Sequence, residues 1–104
     1  MSAVVEHARQ EWEESSRRLE SEASDRQRYE RLMEQVDAVG AELRRRIGET
    51  FTLSELVDVY AGAEAWSRDA VAATSPPPGW MGTLALVEGA AFHRYARGAV
   101  DYVP

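Results

Sequence analysis

Apolar residues recur at three- and four-residue steps between residues 29 and 47, the period of an amphipathic helix. The stripe consists of Tyr29, Leu32, Met33, Val36, Val39, Leu43 and Ile47. Gly48 follows directly, and Arg44, Arg45 and Arg46 occupy the last turn, where cations offset the negative end of a helix. The pattern therefore predicts a helix that ends at Gly48.

A second helix is predicted to begin after Thr52. Thr52 and Glu55 have the spacing of a capping box, and Phe51 and Leu56 have the spacing of a hydrophobic staple. Apolar residues continue at helical steps to about residue 74. The alanine-rich stretch 61–65 favours one uninterrupted helix over this whole region.

The run Ser75-Pro76-Pro77-Pro78-Gly79 cannot continue a helix and is predicted to be a connector. Beyond it, a last helix is predicted from about Met81 to Gly98. Because the connector is short, the helices on either side of it are expected to be antiparallel neighbours. Small residues, among them Gly89, would let helix backbones approach closely.

One heptad phase runs without a slip from residue 5 to residue 47. Before residue 27 it falls on Val5, Ala8, Trp12, Ser15, Leu19, Glu22 and Arg26. A single helix of this length would span about 65 Å. The residues Ser24 to Gln27 also have capping-box form, which would divide the region into two helices. We favour one long or slightly kinked helix and keep two helices as the alternative.

These elements predict an all-α protein, a small helical bundle of three to four helices with a long N-terminal helix. We expect a compact domain at 27–98, preceded by a helical arm at 1–26 and followed by an irregular tail at 99–104. The expected core comprises Tyr29, Leu32, Met33, Val36, Leu43, Ile47, Phe51, Leu56, Val57, Tyr60, Trp66, Leu84, Val87 and Phe92.

Composition narrows the possible functions. The net charge is −6 and all 12 basic residues are arginine, so the broad positive surface that nucleic-acid binding needs is missing. The absence of cysteine excludes disulfides, thiolate metal sites and a cysteine nucleophile. No apolar run is long enough to cross a membrane, and the first residues do not resemble a signal peptide. We therefore expect a cytoplasmic protein without a membrane association.

The N-terminal arm is the first candidate for function. Its only large apolar residues are Trp12 and Leu19, with Val5 on the same stripe, in a segment rich in glutamate and arginine. A lone helix of this kind gains too little burial to be stable. We expect Val5, Trp12 and Leu19 to bind a second copy of the chain or another protein.

A second candidate is a patch for an anion or other ligand near the end of the last helix. His93, Arg94 and Arg97 are close in sequence, and Glu64 on the preceding helix could pair with His93. The simpler interpretation is structural: a hydrogen-bonded histidine between helices, and arginines that offset a helix end. His7, Glu11 and Glu14 share a helix face, but such a spacing is common on solvated helices. We expect no metal and no cofactor.

The leading functional hypothesis is a non-enzymatic, acidic helical adaptor or regulator that self-associates or docks on a protein partner. One alternative is a DNA-binding regulator in which residues from Thr52 onward form a degenerate helix-turn-helix with its turn at Gly62. The other is a small enzyme with a site near His93.

Overall fold

The computed structural model describes residues 2–104, which contain five α-helices, one short 3-10 helix and no strand. In chain order these are α1 (Ala3–Glu22), α2 (Arg26–Ile47), α3 (Leu53–Tyr60), α4 (Ala63–Ala72), the 3-10 helix (Trp80–Thr83) and α5 (Leu84–Ala96). The prediction of an all-α fold is confirmed, with more helices than the three to four expected.

The N-terminal region forms two helices, so the preferred prediction of one long helix is wrong. The α1 helix ends at Glu22, and Asp25 caps α2 by accepting a 2.8 Å hydrogen bond from the Arg28 N–H. The extended backbone of Asp25, with φ of −150°, interrupts the helix without glycine or proline. The heptad pattern misses this break because both helices turn their apolar stripes toward the same interior.

The predicted helix from Thr52 to about residue 74 is also interrupted. The α3 helix ends at Tyr60, and Gly62 takes a non-helical backbone, with φ of −110° and ψ of 13°, before α4 begins. The break lets the two short helices serve different parts of the core: Leu56 of α3 packs in one apolar cluster and Val71 of α4 in the other. The helix propensity of the alanines contributes little free energy, and the packing of α3 and α4 in different clusters outweighs it.

Local capping signals are confirmed. The Thr52 hydroxyl accepts from the Glu55 N–H at 3.2 Å, and the Glu55 carboxylate accepts from the Thr52 N–H at 3.0 Å. Phe51 and Leu56 are both buried in the same cluster, as a staple requires. Gly48 ends α2 with a φ of 76°, a conformation that favours glycine.

The α5 helix lies at the centre of the fold and packs most extensively against α1, then against α2. Buried side chains form two apolar clusters. The largest members of the first are Trp12, Leu43, Phe51, Leu53, Leu56 and Phe92. The second is formed chiefly by Leu19, Leu32, Val36, Val39, Val71, Leu84 and Val87. Because α1 supplies a large side chain to each cluster, it belongs to the bundle.

The predicted division into an arm at 1–26 and a compact domain at 27–98 is therefore corrected. Trp12 and Leu19 are 0% and 1% exposed, enclosed by the chain itself. The radius of gyration, 13.2 Å, equals the value of about 13 Å for a compact domain of 100 residues. Because α1 gains this burial by packing on α5, no second protein is needed to cover the apolar stripe of α1.

The tail at 99–104 has no helix or strand, as expected, but it is docked on the N-terminus of α3. The Val100 N–H donates to the Phe51 carbonyl at 2.9 Å. The Asp101 carboxylate accepts from the Leu53 N–H at 2.9 Å. These contacts place the tail beside α1 and α5, where it completes a surface groove.

Most of the expected core is buried, but the prediction for Tyr29 is wrong. The buried members are Leu32, Val36, Leu43, Phe51, Leu56, Leu84, Val87 and Phe92. The half-buried members are Met33, Ile47, Val57, Tyr60 and Trp66. Tyr29 is 46% exposed because the start of α2 lies outside the core, and residues 24–27 beside it are exposed as well.

Within residues 2–104, no helix combines the length and apolar character that crossing a bilayer requires.

Candidate functional site

Two surface grooves flank α5. The first, of about 600 Å³, lies between α1, α5 and the tail and is called here the His93 groove. The second, of about 560 Å³, lies between α2 and α5 and is called the Arg44 groove. Both volumes fall within the range of about 300–1,000 Å³ that is usual for ligand sites.

Three elements build the His93 groove. His93 and Arg97 lie one turn apart on α5, and an Arg97 Nη2 atom is 3.5 Å from His93 Nε2. Arg9 of α1 faces them across the groove. Its guanidinium donates to the Val103 carbonyl at 2.8 Å and lies 5.0 Å from the centre of the Tyr102 ring. Arg9 therefore ties the tail to α1 and holds one wall of the groove in place.

The electrostatics around His93 are dominated by cations. Partial burial lowers the pKa of His93, and the charge of Arg97 lowers it further. Arg17 and Arg9 act in the same direction, and only Glu13 opposes them. The lowered pKa favours the neutral form of His93, which lies beside Arg97 and Arg9 in a groove that Glu6 and Glu13 also border.

The Arg44 groove combines aromatic rings, small residues and charges. The rings of Phe51 and Tyr95 stack with centroids 4.7 Å apart, and the Tyr95 hydroxyl donates to the Gly48 carbonyl. Arg94 contacts Asp37 at 3.2 Å on one side of the groove. Burial raises the pKa of Tyr95, while the nearby Arg44 lowers it.

The structure does not assemble the predicted patch of Glu64, His93, Arg94 and Arg97. His93 and Arg97 share a face of α5, as residues four apart do, whereas Arg94 points to the Arg44 groove. Glu64 is 80% exposed and pairs with Arg68 at 3.8 Å, so the proposed pair with His93 is not formed. Although His93 and Arg94 are neighbours in sequence, their side chains project from different sides of α5.

The predicted partner-binding residues are also placed differently. Val5 is 6% exposed and packs in the first apolar cluster together with Trp12, and Leu19 is in the second. The Trp12 ring lies 5.4 Å from Phe92 and 5.4 Å from Tyr60. Val5, Trp12 and Leu19 are therefore core residues in this structure and offer no surface to a partner.

A buried acid was missed by the sequence analysis. Glu88 of α5 is 9% exposed, and its carboxyl oxygen lies 2.6 Å from the Ser67 hydroxyl of α4. Burial raises the pKa of Glu88, and the charges of Glu64 and Glu11 raise it further against the opposing Ser67 contact. The sequence did contain a signal for this buried acid, because Glu88 is the one charged residue in the apolar run 84–92.

The Ser67 hydroxyl makes two polar contacts between α4 and α5. It lies 3.2 Å from the Glu64 carbonyl and donates to the Glu88 carboxyl oxygen at 2.6 Å. The contact with Glu88 lowers the pKa of that acid and only partly offsets the rise that burial causes.

The α3–turn–α4 segment gives little support to the DNA-binding alternative. The turn at Gly62 exists, as that hypothesis requires. The helix that would enter a groove of DNA carries Glu64 and Asp69 beside one arginine, Arg68, which pairs with Glu64. Such a surface repels phosphates.

Among residues 2–104, no three His, Asp or Glu side chains are grouped so as to hold a metal ion. His7 and Glu11 lie 4.0 Å apart on an exposed face of α1.

No family model matches this chain, and searches of curated proteins and of solved structures give no match either.

Proposed function

We propose that this protein is a non-enzymatic interaction module that holds an acidic segment of a partner protein in the His93 groove. The observation that carries the proposal is the grouping of Arg9, Arg97 and His93 around one groove of an acidic chain. Charge-assisted hydrogen bonds from arginine to carboxylate are among the strongest polar contacts in proteins.

Arg97 is the residue best placed to meet a partner carboxylate. Its guanidinium has five N–H donors, and its contact with a single ring nitrogen of His93 leaves most of them for a bidentate pair. The imidazole of His93 lies next to the Arg97 guanidinium and offers a further polar group to the partner. Glu6 and Glu13 also border the groove, so an acidic segment must approach along the Arg97 side.

The groove is held in shape by elements that are fixed in the fold. The α1 and α5 helices are joined through the core by Trp12 and Phe92, and Arg9 holds the tail at Val103. A preformed groove loses little conformational entropy when it binds a segment. The surroundings of His93 also favour binding over catalysis, since arginine adjoins the ring and, within residues 2–104, no carboxylate is hydrogen-bonded to it.

The proposal is tested with a fluorescent hexaglutamate peptide, with hexalysine for comparison, by anisotropy at low and high salt. A chain of net charge −6 should prefer hexalysine unless it has a local anion site. We expect saturable hexaglutamate binding that weakens with salt, and a loss of about tenfold or more in the Arg97→Glu variant.

Arg31→Glu is the matched control, because it makes the same charge change on α2, outside the His93 groove. This variant should bind within about twofold of the parent protein. Absence of hexaglutamate binding, or equal losses in Arg97→Glu and Arg31→Glu, would refute the proposal. Circular dichroism establishes that both variants keep the fold.

A further inference from the structure

We infer that the Arg44 groove is a binding site for a small organic carboxylate with an aromatic or branched apolar body. The site lies between α2 and α5 and shares no lining residue with the His93 groove. The inference therefore stands or falls independently of the proposed function.

Gly40 provides space for the apolar body of the ligand. It lies in the interior of α2, where glycine is the least favourable residue apart from proline. A Cβ atom built on Gly40 would meet no atom within 4 Å, so no close packing against another helix explains the glycine. The groove that it borders is flanked by the small residues Ala91 of α5 and Gly98, which lies just beyond the end of that helix. The missing side chain leaves room for an apolar group between the two helices.

Arg44 provides the charge. Among residues 2–104, no carboxylate lies within 4.0 Å of its guanidinium, whereas the neighbouring Arg45 and Arg46 both pair with Glu42. Arg44 acts on the Tyr95 hydroxyl, whose pKa it lowers through its charge and a side-chain hydrogen bond. Arg94, on the opposite side, is already paired with Asp37. A ligand carboxylate is the group that Arg44 lacks.

The stacked rings of Phe51 and Tyr95 provide an apolar wall of fixed position. Phe51 is 3% exposed, and Tyr95 is held by its hydrogen bond to the Gly48 carbonyl. An aromatic body can pack against these rings by offset or edge-to-face contact. Asp37 and Glu49 border the groove and disfavour ligands with several negative charges, so the site suits a monoanion.

The test uses phenylacetate as the probe and the uncharged phenylacetamide as its partner. Titrations of the full chain are followed by amide NMR shifts, with Gly40 and Gly98 as reporters because both border the groove. We expect saturable shifts at these two glycines with phenylacetate, and affinity for phenylacetamide lower by about tenfold.

Two variants separate the contributions of charge and space. Arg44→Met should lower phenylacetate affinity about tenfold, whereas Arg45→Met, the adjacent residue outside the groove, should leave it within about twofold. Gly40→Leu should abolish binding by filling the space. Since leucine forms helix better than glycine, this variant should unfold at the same or a higher temperature, which separates blocking from loss of fold.

Absence of saturable shifts at Gly40 and Gly98 would overturn the inference. Equal affinities for phenylacetate and phenylacetamide, or equal losses in Arg44→Met and Arg45→Met, would also overturn it, because the carboxylate would then have no specific partner.

Discussion

At the scale of single residues, burial determines chemistry more than residue type does. Glutamate occurs throughout the exposed faces of α1 and α2, where several pair with arginine. Glu88 differs because it lies between α5 and α4 with Ser67 as its hydrogen-bond partner. Removing a carboxylate from water favours its neutral form. Burial therefore raises the pKa of Glu88 and favours its neutral form.

Glu88 predicts a pH dependence of stability. Because its pKa is raised in the folded state, its contribution is fully present below the unfolded value, near 4.5, and is lost as the pH rises through the folded value. We expect Glu88→Gln, which mimics the protonated acid, to raise the free energy of unfolding at neutral pH. The gain should shrink toward acid pH.

Urea unfolding at about pH 5 and about pH 8 measures this effect, with the difference between variant and parent as the readout. Glu34→Gln serves as the control, because Glu34 is exposed on α2 and is not one of the groups that raise the pKa of Glu88, so it should leave the pH dependence unchanged. If the gain in Glu88→Gln were the same at both pH values, Glu88 would not be the titrating group.

At the scale of elements, the packing of α1 on α5 sets the architecture. The two helices approach most closely where Ser15 of α1 meets Gly89 of α5. A Cβ atom at Gly89 would lie 2.4 Å from both Cβ and Oγ of Ser15, closer than atoms can approach. Gly89 of α5 therefore serves the contact with α1, whereas the sequence suggested a contact with the helix before the prolines.

The Ser15–Gly89 contact predicts that Gly89→Ala destabilises the fold despite the better helix propensity of alanine. We expect a loss of about 1–3 kcal/mol, the usual cost of overpacking a tight interface. Gly40→Ala is the control, since a Cβ there meets open space, and it should add up to about 1 kcal/mol.

Thermal unfolding of both variants makes the comparison. The double variant Gly89→Ala with Ser15→Gly removes the clashing atoms and should recover part of the loss. A Gly89→Ala protein as stable as the parent would show that α1 and α5 do not pack this closely.

At the scale of the whole molecule, α1 joins the two apolar clusters of the fold. The α1 helix supplies Trp12 to one apolar cluster and Leu19 to the other. Removing α1 would expose both clusters and the whole face of α5 that it covers. For a chain of this size, whose total stability is about 5–15 kcal/mol, that loss is not tolerable.

The role of α1 yields a prediction opposite to the one drawn from sequence. A chain beginning at residue 27 should lack cooperative thermal unfolding. Trp12→Ala in the full chain should lose about 3–5 kcal/mol, as expected for truncation of a buried tryptophan. Val4→Ala, next to the same stripe but 67% exposed, is the control and should change little. Cooperative unfolding of the truncated chain would contradict this expectation and would support the original prediction that residues 1–26 form an independent arm.

Several features of the fold were accessible from the sequence because their causes are local. The helix end at Gly48 and the capping box of Thr52 and Glu55 depend on residues within one turn of each other. The apolar stripe of α2 identified the buried Leu32, Val36, Val39 and Leu43 for the same reason, but it also included the exposed Tyr29. Signals of this kind do not require knowledge of what the helix packs against.

The candidate sites were accessible only in part. His93 and Arg97 were both in the predicted patch, but so were Arg94 and Glu64, which the structure places elsewhere. The partner of His93 and Arg97, Arg9, is more than eighty residues away along the chain and was not expected. The Arg44 groove was missed, since Gly40 and Arg44 gain meaning only when Tyr95 and Phe51 lie beside them.

The sequence by itself determined that the chain is helical, where α2 ends and α3 begins, and which stripes are apolar, because these follow from backbone geometry and residue spacing. Only the tertiary structure decided whether an apolar stripe is covered by the chain itself or left for a partner. The stripe of Trp12 and Leu19 shows this most clearly, since the rest of the chain, chiefly α5, covers it. Burial is a property of two surfaces in contact, and the spacing of residues along one helix specifies only one of them.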